Sequence, residues 1–300
     1  MENNMPVAQV RIPPTEDGIK IQKWFARHYG LPFSALARLT RGGNIRVNGA
    51  KTNDRATLYA GDIVRIPPLQ DRSGAPAETG GGKFSLEDLE QLRRCIIYSD
   101  EDLVAFNKPG GLAVQGGTGI KKSVDKMAAA MFPYDTMLLV HRLDLDTSGV
   151  LVVAKNQNAA QKLSAQFQDK TAVKEYLAEL SGELSGTGGT IDNYLAGKRV
   201  CADKEACDAG DKPLRAITKY RVISVGGGAT MVKFLPKTGR NHQLRLHSAF
   251  SLGAPIVGDS LYGGGGGQLH LFAASLSFTH PRTGKIMTIT APAPEWAAKI

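Results

Sequence analysis

The chain has 300 residues, of which 42% are hydrophobic, enough for one large domain and a smaller one. No apolar run approaches the ~20 residues that cross a bilayer, and the start MENNMPVAQVRIPP lacks the apolar stretch of a secretory signal. These features exclude an integral membrane protein from our expectations and favour a cytoplasmic protein. The net charge of +9 favours a polyanionic partner, with nucleic acid ranked before membrane.

The positive charge is concentrated near the N-terminus. Residues 1–68 hold ten Lys or Arg against five Asp or Glu, a net charge of +5. Apolar spacing in this segment predicts a helix that starts after Asp17-Gly18 and a second over about 33–41, which Gly42-Gly43 ends. Two short stretches with strand-like alternation follow, NIRVNGAKT and YAGDIVRIPP.

This two-helix-plus-strands unit resembles the S-four-like RNA-binding domain, and we place that domain at residues 17–68. Several cations surround one helix–turn–strand junction: Arg38, Arg41, Arg46 and Lys51. A solvated surface is the alternative interpretation. Because such a group can meet successive phosphates, we predict contacts with the RNA backbone.

A change in composition separates this domain from the rest of the chain. Residues 69–90 are rich in Gly, Ala, Ser and Pro, which predicts a flexible linker ending in a short helix, with a second domain at 91–300. From residue 95 onward strand patterns dominate, and helices are predicted at 123–132, 157–169 and 240–252. We predict an α+β fold, a mixed, mainly antiparallel sheet with helices on one side. Residues 182–213 and 263–267 are interpreted as loops.

Cysteine and histidine spacing argues against a metal site or a disulfide framework. Cys95, Cys201 and Cys207 form no CxxC pair, and His242 and His247 are not part of an HExxH pattern. We therefore expect buried or idle thiols and no metal site.

The most informative run is HRLDLDTSG at 141–149, between the apolar segments MLLV and VLVVAK. A simple polar turn, whose side chains hydrogen-bond their own backbone, would explain the composition. However, Asp144 stands two residues from Arg142, and a carboxylate near a guanidinium stays ionised. Asp144 is therefore a candidate nucleophile or base.

Four segments occur in order along the second domain: NKPGGLAVQGG, HRLDLDTSGVLVVAK, KEYLAEL and TGRNHQLRLHSAFSLGAPIVGDSLYG. Together they resemble the RluA family of pseudouridine synthases, over residues 95–294. The resemblance implies a pseudouridine synthase fold that isomerises uridine to pseudouridine in RNA without a cofactor. Within the family, the chain is most similar to members that act on large-subunit ribosomal RNA. A tRNA target and a ribosome-assembly factor that depends little on catalysis are the alternatives.

The resemblance also implies roles for individual residues. Asp144 would attack the anomeric carbon of the ribose or abstract a proton beside it, and Arg245 would pair with Asp144. Tyr176 would stack on the uracil and assist proton removal from carbon five. Arg142 would fill the gap left by the flipped base, or merely bind phosphate. The residues expected to shape the pocket or contact RNA are His141, Thr147, Arg240, His242 and Gln243. We expect a monomer that binds RNA and no membrane.

Overall fold

The computed structural model describes residues 8–29, 33–67, 84–133, 135–207 and 212–297. Residues 69–83, most of the predicted linker at 69–90, lie outside the described part. The chain divides into an N-terminal unit within Met1–Gly80 and a larger unit formed by Gly81–Phe132 and Thr136–Ile300. None of the helices among the described residues is long and apolar enough to cross a membrane.

The N-terminal unit packs two helices against short strands. Its elements are β1 (Ala8–Arg11), β2 (Ile19–Lys20), α1 (Ile21–Tyr29), α2 (Phe33–Arg41), β3 (Arg46–Val47), β4 (Ala50–Lys51), β5 (Thr57–Leu58) and β6 (Ile63–Ile66). Helix α1 begins later than predicted because Gly18 adopts a left-handed turn (φ 75°) and β2 first pairs with β5. The apolar positions Ile21, Trp24 and Phe25 are fully buried, as their helical spacing requires, and pack with Leu36 of α2.

The larger unit is built around one sheet. Its elements are α3 (Leu86–Arg94), β7 (Ile96–Ser99), β8 (Leu103–Lys108), α4 (Val124–Met131), β9 (Leu138–Leu139), β10 (Ser148–Ala154), α5 (Gln157–Gln168), β11 (Val173–Ser181), β12 (Gly188–Ala196), β13 (Arg199–Cys201), β14 (Leu214–Gly226), β15 (Ala229–Pro236), α6 (Gln243–Leu246), β16 (Leu271–Thr279) and β17 (Ile286–Thr290).

The strand order of this 11-stranded sheet is β13-β12-β14-β15-β11-β16-β10-β8-β7, with β17 beside β16 and β9 beside β10. Among the described strands, all pairs are antiparallel except β10–β16, which run parallel. The predicted fold class is confirmed: a mixed, mainly antiparallel sheet with helices, accompanied by a small N-terminal sheet domain.

Strand β10 lies at the centre of the core and is buried at every position. Val150 and Val152 face one apolar cluster, which includes α5, and Leu151 and Val153 face another, which includes α3 and α4. The uninterrupted apolar run VLVV follows from burial on both faces. The expectation of helices on one side only is therefore wrong, because helices cover both faces around β10.

Three further sequence expectations need correction. Residues 182–213 are not a loop throughout, because β12 and β13 extend the sheet there, and 208–211 lie outside the described residues. Cys201 and Cys207 form a disulfide (Cα–Cα 5.7 Å), so these two thiols are not idle. The predicted helix 240–252 is shorter and irregular: α6 continues into a π-helical turn at His247–Ser251.

Candidate active site

The loop between β9 and β10, residues 140–147, is held from below by a buried lysine. Lys108, which is fully buried, donates from its Nζ to the carbonyl oxygens of Pro109 (2.9 Å), Leu112 (2.8 Å) and Leu145 (2.9 Å). Gly111 N–H donates to the same Leu145 carbonyl at 3.0 Å. Burial lowers the pKa of the Lys108 ammonium to about 8, while the carboxylates of Asp146 and Asp144 oppose the shift. The loop is therefore fixed by main-chain contacts and lies over a positive charge.

A cavity of about 570 Å³ opens beside this loop. It brings together residues that are far apart in the sequence, from the loop, from β11 and from the segment before α6. Seven of the predicted site residues line it: His141, Arg142, Asp144, Thr147, Tyr176, Arg240 and Gln243. Arg245 does not line the cavity, although the charge of Asp144 reaches it.

Asp144 is half-buried in this cavity, and its carboxylate accepts no hydrogen bond from the described residues. Its backbone carbonyl accepts from Thr147 N–H at 3.2 Å, which closes the turn. The negative charge of Asp144 reaches four neighbours: it contributes to the raised pKa of Tyr176, Arg245 and Tyr262 and opposes the lowering of the Lys108 pKa by burial. Asp144 is thus a carboxylate in the field of two buried cations, with both oxygens available to a ligand.

Arg245 does not pair directly with Asp144, which corrects the sequence expectation. Its guanidinium binds Asp259 through two hydrogen bonds, Nε to Oδ2 at 2.8 Å and a terminal nitrogen to Oδ1 at 2.6 Å. Both side chains are buried, at 3% and 0% exposure, so each charge needs the other. Asp259 also accepts from the backbone N–H groups of Leu261 and Tyr262. Asp144 interacts with Arg245 only through its longer-range field.

Tyr176 projects from β11 between two apolar clusters of the core. Burial and the nearby Asp144 charge raise the pKa of its hydroxyl well above the ordinary value. The hydroxyl is therefore protonated at neutral pH in the free protein. Tyr176 lines the cavity, and removal of a proton by its hydroxyl would first require loss of the hydroxyl's own proton.

His141 is held as a neutral ring. It stacks on Phe167 (centroids 4.6 Å apart, planes at 19°), and its Nε2 accepts from Val152 N–H at 2.9 Å. Burial and the charge of Lys174 lower the pKa of His141 to about 3. Next to it, Arg142 is exposed and makes no hydrogen bond or ion pair with the described residues. Thr147 is buried at 2% exposure, and its Oγ1 has no partner among the described residues.

The segment before α6 is fixed by one buried amide. Gln243 Oε1 accepts from Thr238 Oγ1 (2.7 Å) and from Arg240 N–H (3.0 Å), and its Nε2 donates to Ile217 O and Thr218 Oγ1. All of its polar groups are used inside the protein, so Gln243 fixes the loop, and the alternative role, contact with RNA, stays a prediction.

Arg240 and His242 are partly exposed, unlike Gln243. Arg240 lines the cavity, and His242 is not among its lining residues. Arg240 is half-buried and donates from Nε to Arg215 O at 3.0 Å. His242 has a left-handed backbone (φ 50°), and its Nδ1 lies 2.8 Å from the Tyr262 hydroxyl. A non-glycine residue in this conformation is strained, and such strain is often found at functional sites.

The N-terminal unit carries a row of cations on its own small sheet. Across strands β6, β3 and β4, Arg65 lies opposite Arg46, which lies opposite Lys51. No carboxylate pairs with these three side chains among the described residues, and like charges directly opposite one another repel. Arg41 is exposed at the end of α2, and the side chain of Arg38 lies outside the described part of the chain.

One cluster has the composition of a metal site. The ligand atoms of Asp100, Asp102 and His280 lie within 4.8 Å of one another. However, His280 donates to Asp100 at 2.7 Å and Arg282 donates twice to Asp102. Since these carboxylates are already engaged, the cluster is better described as an ionic network than as a place for a cation.

Sequence reasoning missed the roles of Asp259, Tyr262, Phe167 and Lys174. Asp259 and Tyr262 belong to GDSLYG, and Lys174 opens KEYLAEL, so both stretches were within the informative motifs. The available signal was that these polar residues lie in the same motifs as Arg245 and Tyr176. Their partners, however, are set by the fold.

Comparison with known proteins places the chain in a family. The sequence profile described as RNA pseudouridylate synthase matches residues 102–250. The chain is 38% identical to the ribosomal large subunit pseudouridine synthase C of Vibrio vulnificus over 281 residues, which cover 90% of this chain and 87% of that protein. It is 35% identical to the protein of the same name from Escherichia coli, with 95% and 93% covered.

Solved structures agree with the fold. Human RNA pseudouridylate synthase domain containing 1 is 28% identical, with a TM-score of 0.56, covering 66% of this chain and 83% of that one. Human RNA pseudouridylate synthase domain containing 4, at 24% identity, has a TM-score of 0.59 and covers 70% and 92%. The chain therefore belongs to the RluA family of RNA pseudouridine synthases, which are isomerases.

Proposed function

We propose that this enzyme converts specific uridines of large-subunit ribosomal RNA to pseudouridine in the cytoplasm, and that Asp144 is its central catalytic residue. The observation that carries the proposal is the Asp144 carboxylate, unoccupied by described residues, in a cavity with Tyr176 and in the field of Arg245. The named relatives support the choice of substrate, since they are large-subunit enzymes and are matched along most of their length.

The reaction moves a glycosidic bond without a change of oxidation state. The bond from ribose C1′ to uracil N1 breaks, the base turns, and a bond from C1′ to C5 forms. C5 then loses its proton and N1 gains one, so no external group enters. Asp144 acts either as the nucleophile at C1′ or as the base that removes a ribose proton beside it, and both roles need an ionised carboxylate.

The surroundings of Asp144 suit both roles. Neither Lys108 nor Arg245 forms a hydrogen bond to the carboxylate oxygens of Asp144, so their lone pairs stay available. Tyr176 offers an aromatic face to the uracil. Exposed Arg142, at the rim, is suited to replace the flipped base in the stack.

The N-terminal unit would supply contacts to the RNA backbone. Arg46, Lys51 and Arg65 form a row without neutralising partners among the described residues, and phosphates would relieve their repulsion. Arg41 would extend this surface. In a salt titration of binding, replacing the row with Gln should flatten the dependence of log K on log salt, and an unchanged slope would reject these contacts.

The decisive experiment maps pseudouridines in a strain that lacks the gene. The strain is complemented with wild type, with Asp144→Asn, or with Asp146→Asn, a matched loss of one carboxylate from the same loop. Carbodiimide-blocked primer extension then reads large-subunit rRNA and tRNA. We expect wild type and Asp146→Asn to restore the same rRNA positions. Asp144→Asn should leave these positions unmodified, because its rate of pseudouridine formation should fall by at least about 10²-fold.

Each alternative predicts a different pattern in this experiment. If the lost positions lie in tRNA, the proposed substrate is wrong. If Asp144→Asn restores every position, Asp144 is not catalytic. If growth and ribosome assembly are rescued equally by Asp144→Asn while the modification is not, binding carries the biological role. In the same assay Tyr176→Leu and Arg142→Ala should each reduce modification, and normal levels would reject their assigned roles.

A further inference from the structure

The cavity carries more positive charge than the chemistry at Asp144 requires. Its described lining residues include five cations: Arg142, Lys170, Lys174, Lys237 and Arg240. Asp144 is the only acid among the same lining residues. Catalysis and base flipping use Asp144 and Arg142, so the remaining cations need another explanation.

Lys174 is the most constrained of these cations. It precedes Tyr176 by two positions on β11, so both side chains lie on the same face of the sheet. It is half-buried, and its Nζ lies 3.5 Å from Thr238 O, the limit for a weak hydrogen bond. Gly239 leaves room next to it: a Cβ placed there would lie 3.7 Å from Nζ.

No carboxylate neutralises Lys174 among the described residues. The adjacent Glu175 lies on the opposite face of the sheet, where it pairs with Lys233 at 2.7 Å. The nearby charge is that of another cation, Lys237, and burial together with this charge lowers the pKa of Lys174. Lys237 itself is exposed and has no ion pair in the described part of the chain.

The backbone next to Lys237 is anchored by buried hydrogen bonds. Thr238, which separates Lys237 from Gly239, is buried and anchored to Gln243, and the Gln243 amide is in turn anchored to β14. Folding therefore brings two like charges to the lining of the same cavity. A partly buried ammonium without a partner is costly, and an anion between two of them recovers that cost.

We propose that Lys174 and Lys237 form a subsite for one backbone phosphodiester next to the target uridine. The phosphate would fix the register in which the flipped nucleotide enters, so that its base meets Tyr176 and its ribose meets Asp144. This inference rests on the proposed function, because it takes RNA as the substrate. It assigns Lys174 and Lys237 to substrate binding, while the bond changes remain with Asp144.

The first test measures single-turnover pseudouridine formation on an unmodified large-subunit rRNA transcript at several salt concentrations. The variants are Lys174→Gln, Lys174→Arg and Lys237→Gln, and Lys237 is exposed, so its replacement does not disturb the core. The control is Lys219→Gln, which replaces an exposed lysine on the other face of the sheet. Phe234 pairs with both Tyr220 and Tyr176, so these three side chains share one face, and Lys219, next to Tyr220, lies on the opposite face.

We expect Lys174→Gln and Lys237→Gln to raise the RNA concentration for half-maximal rate about tenfold or more, with a smaller effect on the maximal rate. The salt slope should fall by about 0.7 to 0.9, the value for one lost phosphate contact. Lys174→Arg should retain most of the affinity. The proposal is overturned if both Gln variants behave like Lys219→Gln.

The second test asks whether the lysine touches phosphate or base. Short RNAs that contain the mapped uridine carry one uncharged methylphosphonate linkage on its 5′ or its 3′ side. The wild-type protein should bind one of these two RNAs more weakly than it binds the fully charged RNA. Lys174→Gln should bind that RNA as well as it binds the fully charged RNA. If the variant and the uncharged linkage weaken binding additively, the proposal is overturned. Wild type that forms no pseudouridine even in the fully charged RNA would instead count against the proposed function.

Discussion

At the scale of single residues, the buried Arg245–Asp259 pair is the feature on which the site depends. Asp259→Ala leaves the guanidinium buried at 3% exposure without a counter-charge. We expect a loss of about 3–5 kcal/mol in the free energy of unfolding, because a buried charge deprived of its partner is strongly destabilising. Urea denaturation followed by circular dichroism measures this loss.

A double variant separates stability from function in this pair. In Arg245→Met/Asp259→Leu the volume is roughly kept and both charges are removed, so most of the stability should return. Pseudouridine formation should not return, since the positive charge behind Asp144 is gone. A double variant as active as wild type would show that Arg245 only fills space.

Residue-level prediction from the sequence could group the candidate residues where they are local in the chain. Asp144, Arg142 and Thr147 stand within one nine-residue run, and all three line the cavity. It failed for the partner of Arg245. Asp259 is 14 residues away, and nothing in the spacing distinguishes it from Asp144, which is a hundred residues away, until the fold decides which carboxylate is in reach.

At the scale of elements, the close approach of β10 and β16 positions the catalytic loop. Gly149, the second residue of β10, has φ 110°, and a Cβ there would lie 2.2 Å from Ala273 O. Gly149→Ala should therefore cost at least about 2 kcal/mol of stability through strain and displaced pairing. Gly226→Ala in β14 is the control, since no atom lies within 4 Å of its Cβ position.

The outcome for activity follows from the position of Gly149, five residues after Asp144. Displacement of β10 from β16 shifts the loop relative to Tyr176 on β11, the strand on the other side of β16. Thermal melting and single-turnover rates should both fall for Gly149→Ala and stay near wild type for Gly226→Ala. Equal behaviour of the two variants would contradict the role of the close approach.

Element prediction was accurate for strongly patterned segments and poor elsewhere. The helix at 157–169 and the VLVV strand were predictable, because their apolar positions follow the periods of a helix and of a doubly covered strand. Strand β12 starts with two glycines and is exposed at its first three positions, so its pairing with β14 is a long-range property. The helix predicted to start at residue 240 begins only at Gln243, because the preceding His242 adopts a left-handed conformation.

At the scale of the whole molecule, one ionic network joins two turns that are 180 residues apart in the chain. Asp100 accepts hydrogen bonds from Tyr98, His280 and the backbone N–H groups of Asp102 and Leu103. Burial alone would raise the pKa of Asp100, but these hydrogen bonds outweigh it and lower the pKa to about 2. The turn before β8 is thereby tied to the turn between β16 and β17.

Because of this lowered pKa, the free energy of unfolding of the larger unit depends on pH in the acid range. A carboxyl group whose pKa is lower in the folded than in the unfolded state stabilises the fold fully above its unfolded pKa. For Asp100 that stabilisation is present above about pH 4 and is lost as pH falls from 3.8 towards 2.

Asp100→Asn should be less stable than wild type at pH 7, and the difference should shrink as pH approaches 2. Asp169→Asn, an exposed carboxylate without a hydrogen bond in the described residues, is the control. Urea denaturation at pH steps between 7 and 2 measures both slopes, and a stability difference that is constant with pH would show that the network does not act through the charge of Asp100.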